Sequence, residues 1–218
     1  MSKCELGKFI AFEGIDGSGK TTQFNMLVSR LIELGVQCHA TQEPTDSPIG
    51  VLIRQILRGE MNADERILAN LFAADRAHHL LNDTAGICKQ IREGVTVVTD
   101  RYYFSSYAYN GSDPETGMDL DWLISVNEMN ARLMRPTVTV FLDISAQSAM
   151  DRIKQRYLDA EHVKLELFEK EERLGLVRAK YFEAFEKLKD MENVVIIDAS
   201  ADIETVAERV WSELKKYF

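Results

Sequence analysis

The residues with the most specific chemistry lie near the amino terminus, where Gly14 is followed, after four residues, by Gly19, Lys20 and Thr21. This G-x-x-x-x-G-K-T spacing lets the backbone curl so that successive N–H groups point at phosphate oxygens. The lysine adds a positive charge for the β- and γ-phosphates, and the threonine hydroxyl is a suitable ligand for Mg²⁺. The pattern therefore predicts a phosphate-binding loop, or P-loop. Its predicted nucleotide-binding residues are Gly14, Ile15, Asp16, Gly17, Ser18, Gly19, Lys20, Thr21 and Thr22.

A second candidate segment begins at Asp100, directly after an apolar run at 95–99. A carboxylate at the carboxyl end of a strand beside a P-loop is placed to associate with Mg²⁺. Without that loop, a turn or a helix cap would be the simpler interpretation. Arg101 follows, and tyrosines and serines are then interleaved up to Asn110. Aromatic rings with interleaved hydroxyls favour a pocket for a base and a sugar, and packing in the core is the alternative.

Phe72 and Arg76 are four residues apart in a segment of helical period, so they project from the same face. The ring can stack on a nucleobase while the guanidinium donates hydrogen bonds to its carbonyls. The alternative is a core phenylalanine beside a surface arginine whose aliphatic part packs. We interpret the neighbouring His78 and His79 as solvent-exposed helix residues. A metal-binding role is disfavoured, because no partner carboxylate lies at ligand spacing on that face.

The elements that position these residues follow from hydrophobic periodicity. Short, continuously apolar runs predict strands buried on both faces, at 8–12, 36–41, 95–99, 137–142 and 194–197. Segments of helical period lie between them, at 22–34, 66–81, 144–155, 168–189 and 205–217. The alternation predicts an α/β fold of three layers, α/β/α, with a five-stranded parallel sheet of the P-loop type.

The composition restricts the class of protein and its partners. The length of 218 residues, the average share of apolar residues and the absence of any Pro/Gly/Ser-rich linker predict one domain over residues 1–218. No apolar run approaches the roughly 18 residues of a membrane helix, and no signal peptide is visible, so we expect no membrane partner and a cytoplasmic protein. Three cysteines without paired spacing fit a reducing compartment. The formal net charge of −9 argues against a nucleic acid polymer as partner.

Taken together, four segments resemble the thymidylate kinase family, and the resemblance covers most of the chain. Residues 12–22 resemble its P-loop, and 43–50 followed by Arg54 resemble its second-strand loop. Residues 71–76 resemble its base-binding helix, and Asp100 to Tyr109 resemble its signature segment. Several motifs in the family's order are more specific than a P-loop alone, which occurs in proteins of many activities.

The resemblance implies transfer of a phosphoryl group from ATP to dTMP and a homodimer formed near residues 67–81. The P-loop pattern and the strand-end position assign Mg²⁺ to Thr21 and Asp100. The candidate catalytic residues are Lys20, Arg101, Arg156 and Asp16. The implied dTMP-binding residues are Asp16, Glu43, Pro44, Arg54, Phe72, Arg76, Arg101, Ser105, Ser106, Tyr109 and Asn110. Two alternatives remain open: a kinase for another deoxynucleoside monophosphate or deoxynucleoside, and a nucleotide-dependent switch, although the N-K-x-D motif of GTPases is absent.

Two departures from the family pattern affect the site. Many members have glutamine where this chain has the shorter Asn110, and some carry an arginine inside the P-loop, which has none here at 15–18. A charged segment at about 152–168 resembles the family's small helical lid, so a lid arginine is expected to supply the missing charge. We favour Arg156, with Arg152 and Lys164 as alternatives, and a solvated helix face as the other interpretation.

Overall fold

The computed structural model describes residues 6–113, 117–131, 134–158 and 167–218. The strands in this part of the chain are β1 Phe9–Glu13, β2 Cys38–Gln42, β3 Thr96–Asp100, β4 Val138–Asp143 and β5 Val194–Asp198. They form one parallel sheet in the order β2-β3-β1-β4-β5. All five predicted strands are confirmed, and each ends one residue later than its apolar run.

The residue that ends each strand is polar or charged, which is why an apolar run stops short of it. These residues are Glu13, Gln42, Asp100, Asp143 and Asp198. The pairing nevertheless continues to the strand ends, since Phe12 is in register with Asp100. All five side chains therefore stand at the carboxyl edge of the sheet, where open parallel sheets bind their ligands.

The helices in the described residues are α1 Lys20–Glu33, α2 Pro48–Leu57, α3 Glu65–Leu81, α4 Ile87–Arg92, α5 Tyr103–Asn110, α6 Leu120–Ala131, α7 Ala146–Leu158, α8 Leu167–Leu188 and α9 Ile203–Leu214, followed by a 3-10 turn at Lys215–Tyr217. The five segments of helical period are confirmed, whereas α2, α4, α5 and α6 were not among them. A local signal for α2 was present, because Ser47 caps it by accepting a hydrogen bond from Gly50 N and Pro48 occupies its first position. None of these helices is long and apolar enough to cross a membrane.

Both faces of the sheet are covered by helices. Ile10 and Phe12 of β1 pack on one side in a cluster with residues of α1 and α9. Phe9 and Ala11 pack on the other side in a cluster with residues of α5 and α8. Successive β1 side chains thus enter two different cores, which explains the continuously apolar run and confirms the three-layer α/β/α prediction.

The aromatic run after Arg101 lies in α5 and mostly faces the core. Tyr103, Phe104 and Tyr107 are each at most 1% exposed. The Phe104 ring centroid lies 4.8 Å from that of Phe185 on α8. The prediction that this run forms a pocket for a base and a sugar is therefore wrong for these three rings, because they are buried in the core cluster that covers one face of the sheet.

Candidate active site

The P-loop connects β1 to α1 along a path that requires glycine at two positions. Gly17 has a φ of 83° and Gly19 a φ of 91°, a region that residues with a Cβ rarely adopt. A Cβ at Gly17 would also lie 2.4 Å from the carbonyl oxygen of Ala149. The glycines of the motif therefore set the backbone path of the loop, as the sequence predicts.

Lys20 is the first residue of α1 and points into the loop. It is 6% exposed, and its Nζ donates a hydrogen bond to the carbonyl oxygen of Ile15 at 2.9 Å. Burial and the nearby positive charge of Arg101 lower the pKa of Lys20 to about 7, although neighbouring carboxylates oppose this effect. The lysine side chain is thus positioned where phosphate oxygens would favour its charged form.

Thr21 and Asp100 meet at the predicted metal position. The Thr21 hydroxyl donates a hydrogen bond to Oδ2 of Asp100 at 2.7 Å. The other carboxylate oxygen, Oδ1, is buried and has no hydrogen-bond partner among the described residues. A hydroxyl beside a carboxylate with a free oxygen is a hard oxygen donor set, so these residues fit Mg²⁺.

Arg101 follows β3 and joins the P-loop to α5. Its backbone φ is 71°, a strained conformation for a residue with a side chain. The guanidinium forms an ion pair with Asp16, donates to Oγ of Ser105 at 3.0 Å and lies 5.0 Å from the ring centroid of Tyr109. Desolvation alone would favour the neutral acid, but Arg101 and Lys20 hold the pKa of Asp16 below its ordinary value.

Glu13, a buried carboxylate at the end of β1, is hydrogen-bonded to α5 and α8 beside Arg101. It accepts hydrogen bonds from N of Tyr102 at 2.9 Å, from Oγ of Ser105 at 2.5 Å and from the hydroxyl of Tyr181 on α8 at 2.9 Å. Burial raises the pKa of Glu13, although these bonds and Arg101 act in the opposite direction. Ser105, predicted to bind dTMP, therefore bridges Glu13 and Arg101.

Arg76 is 1% exposed and its guanidinium is held from several sides. It donates to Oε2 of Glu43 at 2.6 Å, to Oγ of Ser106 at 3.1 Å and to Oδ1 of Asn127. Its Nε is buried without a hydrogen-bond partner in the described part of the chain. The side chain is thus a fixed donor whose Nε–H is unused, and the interpretation of Arg76 as a surface arginine is excluded.

His79, expected to be exposed, is buried beside Glu43, whereas His78 is exposed as predicted. The Nδ1 atom of His79 lies 3.1 Å from Oε1 of Glu43, and its Nε2 lies 2.7 Å from Oγ1 of Thr41. The expectation for His79 is wrong because α3 places this residue against β2 and the loop that follows it, where its ring nitrogens contact Thr41 and Glu43. Residues 72, 75, 76 and 79 follow the i, i+3, i+4, i+7 pattern of one helix face, which was the available signal.

The loop between β2 and α2 is fixed by Asp75 of α3. The Asp75 carboxylate accepts hydrogen bonds from N of Thr45 at 2.7 Å, from Oγ1 of Thr45 at 2.6 Å and from Oγ of Ser47 at 2.8 Å. Arg54 donates to the carbonyl oxygen of Pro44 at 2.8 Å and to Asp46 at 2.9 Å. The helix that carries Phe72 and Arg76 therefore also sets the position of this loop.

One cavity of about 640 Å³ extends from Asp16 of the P-loop and Arg101 to Phe72 and Arg76 of α3. Of the predicted dTMP-binding residues, all but Arg54 line it: Asp16, Glu43, Pro44, Phe72, Arg76, Arg101, Ser105, Ser106, Tyr109 and Asn110. The amide nitrogen of Asn110 is buried and makes no hydrogen bond within the described ranges. Tyr109 Oη accepts a hydrogen bond from N of Asp16 at 3.1 Å, so the P-loop forms one wall of the cavity.

The candidate lid cations occupy different positions relative to the P-loop and the cavity. Arg152 donates to the carbonyl oxygens of Ala199 at 2.8 Å and, more weakly, of Ser18 at 3.5 Å, so it lies beside the P-loop. Arg156 is exposed on α7 and does not line the cavity. Lys164 and the rest of 159–166 lie outside the described residues. Arg173 on α8, which the sequence did not single out, lines the cavity.

The sequence pattern of the thymidylate kinase family matches residues 12–210. The chain belongs to the thymidylate kinase family. It is 37% identical over 205 residues to a probable thymidylate kinase of Pyrococcus horikoshii, covering 92% of each chain. It is 35% identical to one of Thermococcus kodakarensis, covering 93% of this chain and 94% of the relative. A probable thymidylate kinase of Methanocaldococcus jannaschii is 34% identical, and 95% of each chain is covered.

Membership of the thymidylate kinase family confirms the resemblance seen in the sequence. The matched residues begin at the end of β1 and include the P-loop, α3, the segment from Asp100 and α8. Every element that lines the cavity thus lies inside the family match, and the sheet of five parallel strands is the fold predicted for it.

Proposed function

We propose that this protein transfers the γ-phosphoryl group of ATP to the 5′-phosphate of dTMP, giving ADP and dTDP for the synthesis of dTTP. The observation that carries the proposal is one continuous cavity, which joins Asp16 of the P-loop and Arg101 to Phe72 and Arg76. Phosphate-binding groups and base-binding groups share one space, as a nucleotide acceptor requires. A nucleotide switch needs no second nucleotide pocket beside its P-loop.

The base end of the cavity suits thymine. Phe72 supplies a ring for stacking, and the unpartnered Nε of Arg76 is a donor for a base carbonyl. Because the Arg76 guanidinium is already held by Glu43, that donor is oriented before the base arrives. Asn110 adds a second unpartnered donor. We assign the deoxyribose to the wall formed by Tyr109 and Asp16, where a 2′-hydroxyl would be crowded.

The acceptor phosphate is assigned to Arg101, which is held between Asp16 and Ser105 and lines the cavity. A planar guanidinium can bond two phosphate oxygens at once. The Arg54 guanidinium is bonded to Pro44 and Asp46 and does not line the cavity. Arg101 is therefore the main acceptor-phosphate residue, and Glu43, Pro44, Ser105 and Ser106 shape the walls around it.

The donor side is formed by the P-loop. Gly14 to Thr22 hold the ATP phosphates with backbone N–H groups, and Lys20 reaches the β- and γ-phosphates. Thr21 and Asp100 would hold Mg²⁺, which neutralises phosphate charge during transfer. Transfer between two nucleotides needs in-line positioning and charge neutralisation and no covalent intermediate on the protein. Asp16 acts through Arg101 and through its contact with the acceptor sugar.

We also infer a homodimer and a cytoplasmic location. The proposed dimer surface is α3, where the side chains of Ile67 and Leu81 are 54% and 59% exposed and would pack against a second copy. Cys38 and Cys88 are free cysteines, which fits a reducing compartment. Sedimentation of the purified protein tests the dimer, and Ile67→Glu is expected to shift it to the monomer.

A coupled assay of ADP release tests the acceptor assignment directly. Purified protein with ATP and Mg²⁺ should prefer dTMP over dUMP by about 10-fold or more in kcat/KM, because one methyl contact contributes about 1–3 kcal/mol. Ribonucleotides, dCMP and AMP should be poorer acceptors still. If AMP or unphosphorylated thymidine gives the highest kcat/KM, the proposed function is wrong.

A further inference from the structure

Phosphoryl transfer calls for positive charge in addition to that of Lys20 and Mg²⁺, which cover the transferring oxygens only in part. Charge spreads over the phosphoryl oxygens during transfer, and the P-loop contains no arginine at 15–18. Arg101 is paired with Asp16, and Arg76 is paired with Glu43. With Lys20 assigned to the β- and γ-phosphates and Arg101 to the acceptor phosphate, a further cation would neutralise the charge that spreads over the oxygens of the transferring group.

Arg173 on α8 meets this need by its position. It lines the same cavity as Asp16 and Arg101, its side chain is exposed, and it forms no ion pair or hydrogen bond with the residues the structure describes. Val177, one turn further along α8, is fully buried and lines the cavity too. The helix thus presents Arg173 to the cavity with its guanidinium free to move.

Contacts of α8 fix the backbone of Arg173 relative to the P-loop. The hydroxyl of Tyr181 donates to Glu13 at 2.9 Å and lies 3.5 Å from the carbonyl oxygen of Gly14, the first P-loop residue. Eight residues of helix separate Arg173 from Tyr181, a rise of about 12 Å. The Arg173 side chain therefore projects from a rigid element that is attached at the P-loop.

We propose that Arg173 is a catalytic residue whose guanidinium bonds the transferring phosphoryl oxygens. The proposal rests on the proposed function. An oxygen of the acceptor phosphate forms the new bond to the γ-phosphorus while the bond to the β–γ bridging oxygen breaks, and ADP keeps that electron pair. Arg173 stays protonated throughout and contributes charge alone, bridging two oxygens where a lysine offers a point charge.

The other lid cations are placed less suitably for this role. The Arg152 guanidinium is engaged by the carbonyl oxygens of Ala199 and Ala201. Arg156, the residue favoured from the sequence, is exposed and outside the cavity lining. The structure therefore favours α8 over α7 as the source of the charge.

Steady-state kinetics of Arg173→Ala, Arg173→Lys and Arg156→Ala at saturating ATP test the assignment. We expect Arg173→Ala to lower kcat at least 10-fold with less than a 3-fold change in KM for dTMP, and Arg173→Lys to recover part of the loss. The control is Lys180→Ala, which removes one positive charge from the same helix at a residue paired with Glu183 and outside the cavity lining. It should leave both constants unchanged.

The possible outcomes separate this proposal from the proposed function. If the wild-type protein does not phosphorylate dTMP, the proposed function fails first. If it does, a kcat loss below 5-fold in Arg173→Ala, a loss seen mainly in KM, or a larger kcat loss in Arg156→Ala overturns the role of Arg173 alone. Because Arg173 is exposed, we expect an unchanged thermal midpoint, and Arg173→Lys keeps the test valid if the alanine variant unfolds.

Discussion

Thr21 Oγ1 and Asp100 Oδ2 lie 2.7 Å apart, although 79 residues separate them in the chain. Thr21 belongs to the first turn of α1 and Asp100 ends β3, which is hydrogen-bonded to β1. The adjacency of β1 and β3 thus brings a P-loop hydroxyl to a strand-end carboxylate. Only Oδ2 is used, and the buried Oδ1 is left without a partner in the described residues.

Asp100→Asn should raise the Mg²⁺ concentration for half-maximal activity about 10-fold and lower kcat by about 10². The amide keeps the size of the carboxylate and its contact with Thr21 but removes the negative charge that a divalent cation needs. A Mg²⁺ titration of the rate measures this. Asp198→Asn, at the end of β5 and paired with Arg209, is the matched control and should behave like the wild type. Equal Mg²⁺ requirements in all three proteins would contradict the metal assignment.

Nucleotide binding should take up protons through Lys20. The lysine has a lowered pKa of about 7, so at pH 8 it is mostly neutral, and bound phosphate favours its charged form. ATP binding at pH 8 should therefore take up most of one proton, and affinity should fall as the pH rises above 7, by at most 10-fold per pH unit. Calorimetry in buffers of different ionisation enthalpy measures the uptake.

The matched variant for this experiment is Lys20→Met, which keeps the apolar stem and removes the amine. It should lose the additional proton uptake and lower kcat by about 10² or more. Its stability should not fall, because the buried ammonium is costly in the fold. Proton uptake in Lys20→Met equal to that of the wild type would refute the role of the lysine.

Local sequence patterns predicted the parts of the site that are contiguous in the chain. The P-loop has a fixed spacing, and strands buried on both faces of a parallel sheet are continuously apolar, so β1 and its loop could be located directly. The contact between Glu13 and Tyr181 spans 168 residues, and no periodicity encodes it. Local sequence could not predict the burial of His79, because this burial depends on a partner, Glu43, that lies on a different element.

Glu43→Gln should destabilise the fold by about 3 kcal/mol, since it leaves the buried Arg76 guanidinium without a counter-charge. The two side chains are 1% and 3% exposed and lie 2.6 Å apart. Urea denaturation measures the loss. Glu60→Gln is the control, because Glu60 forms an exposed ion pair with Arg58 and its loss should cause no measurable change. Similar unfolding midpoints for the two variants would show that the buried pair does not stabilise the fold.

Tyr181→Phe should separate stability from catalysis at the junction of α8 and the P-loop. The change removes the hydroxyl that bonds Glu13, the carboxylate that also holds Ser105 beside Arg101. Tyr103→Phe is matched to it, because Tyr103 donates to Glu192 at 2.6 Å from an equally buried ring away from the cavity. Each variant should lose about 1 kcal/mol of unfolding free energy. Only Tyr181→Phe should also lower kcat/KM for dTMP, by about 5-fold or more, because Glu13 and Ser105 then position the Arg101 guanidinium less firmly. Equal kinetics for the two variants, measured where both are fully folded, would show that the Tyr181 hydroxyl serves stability alone.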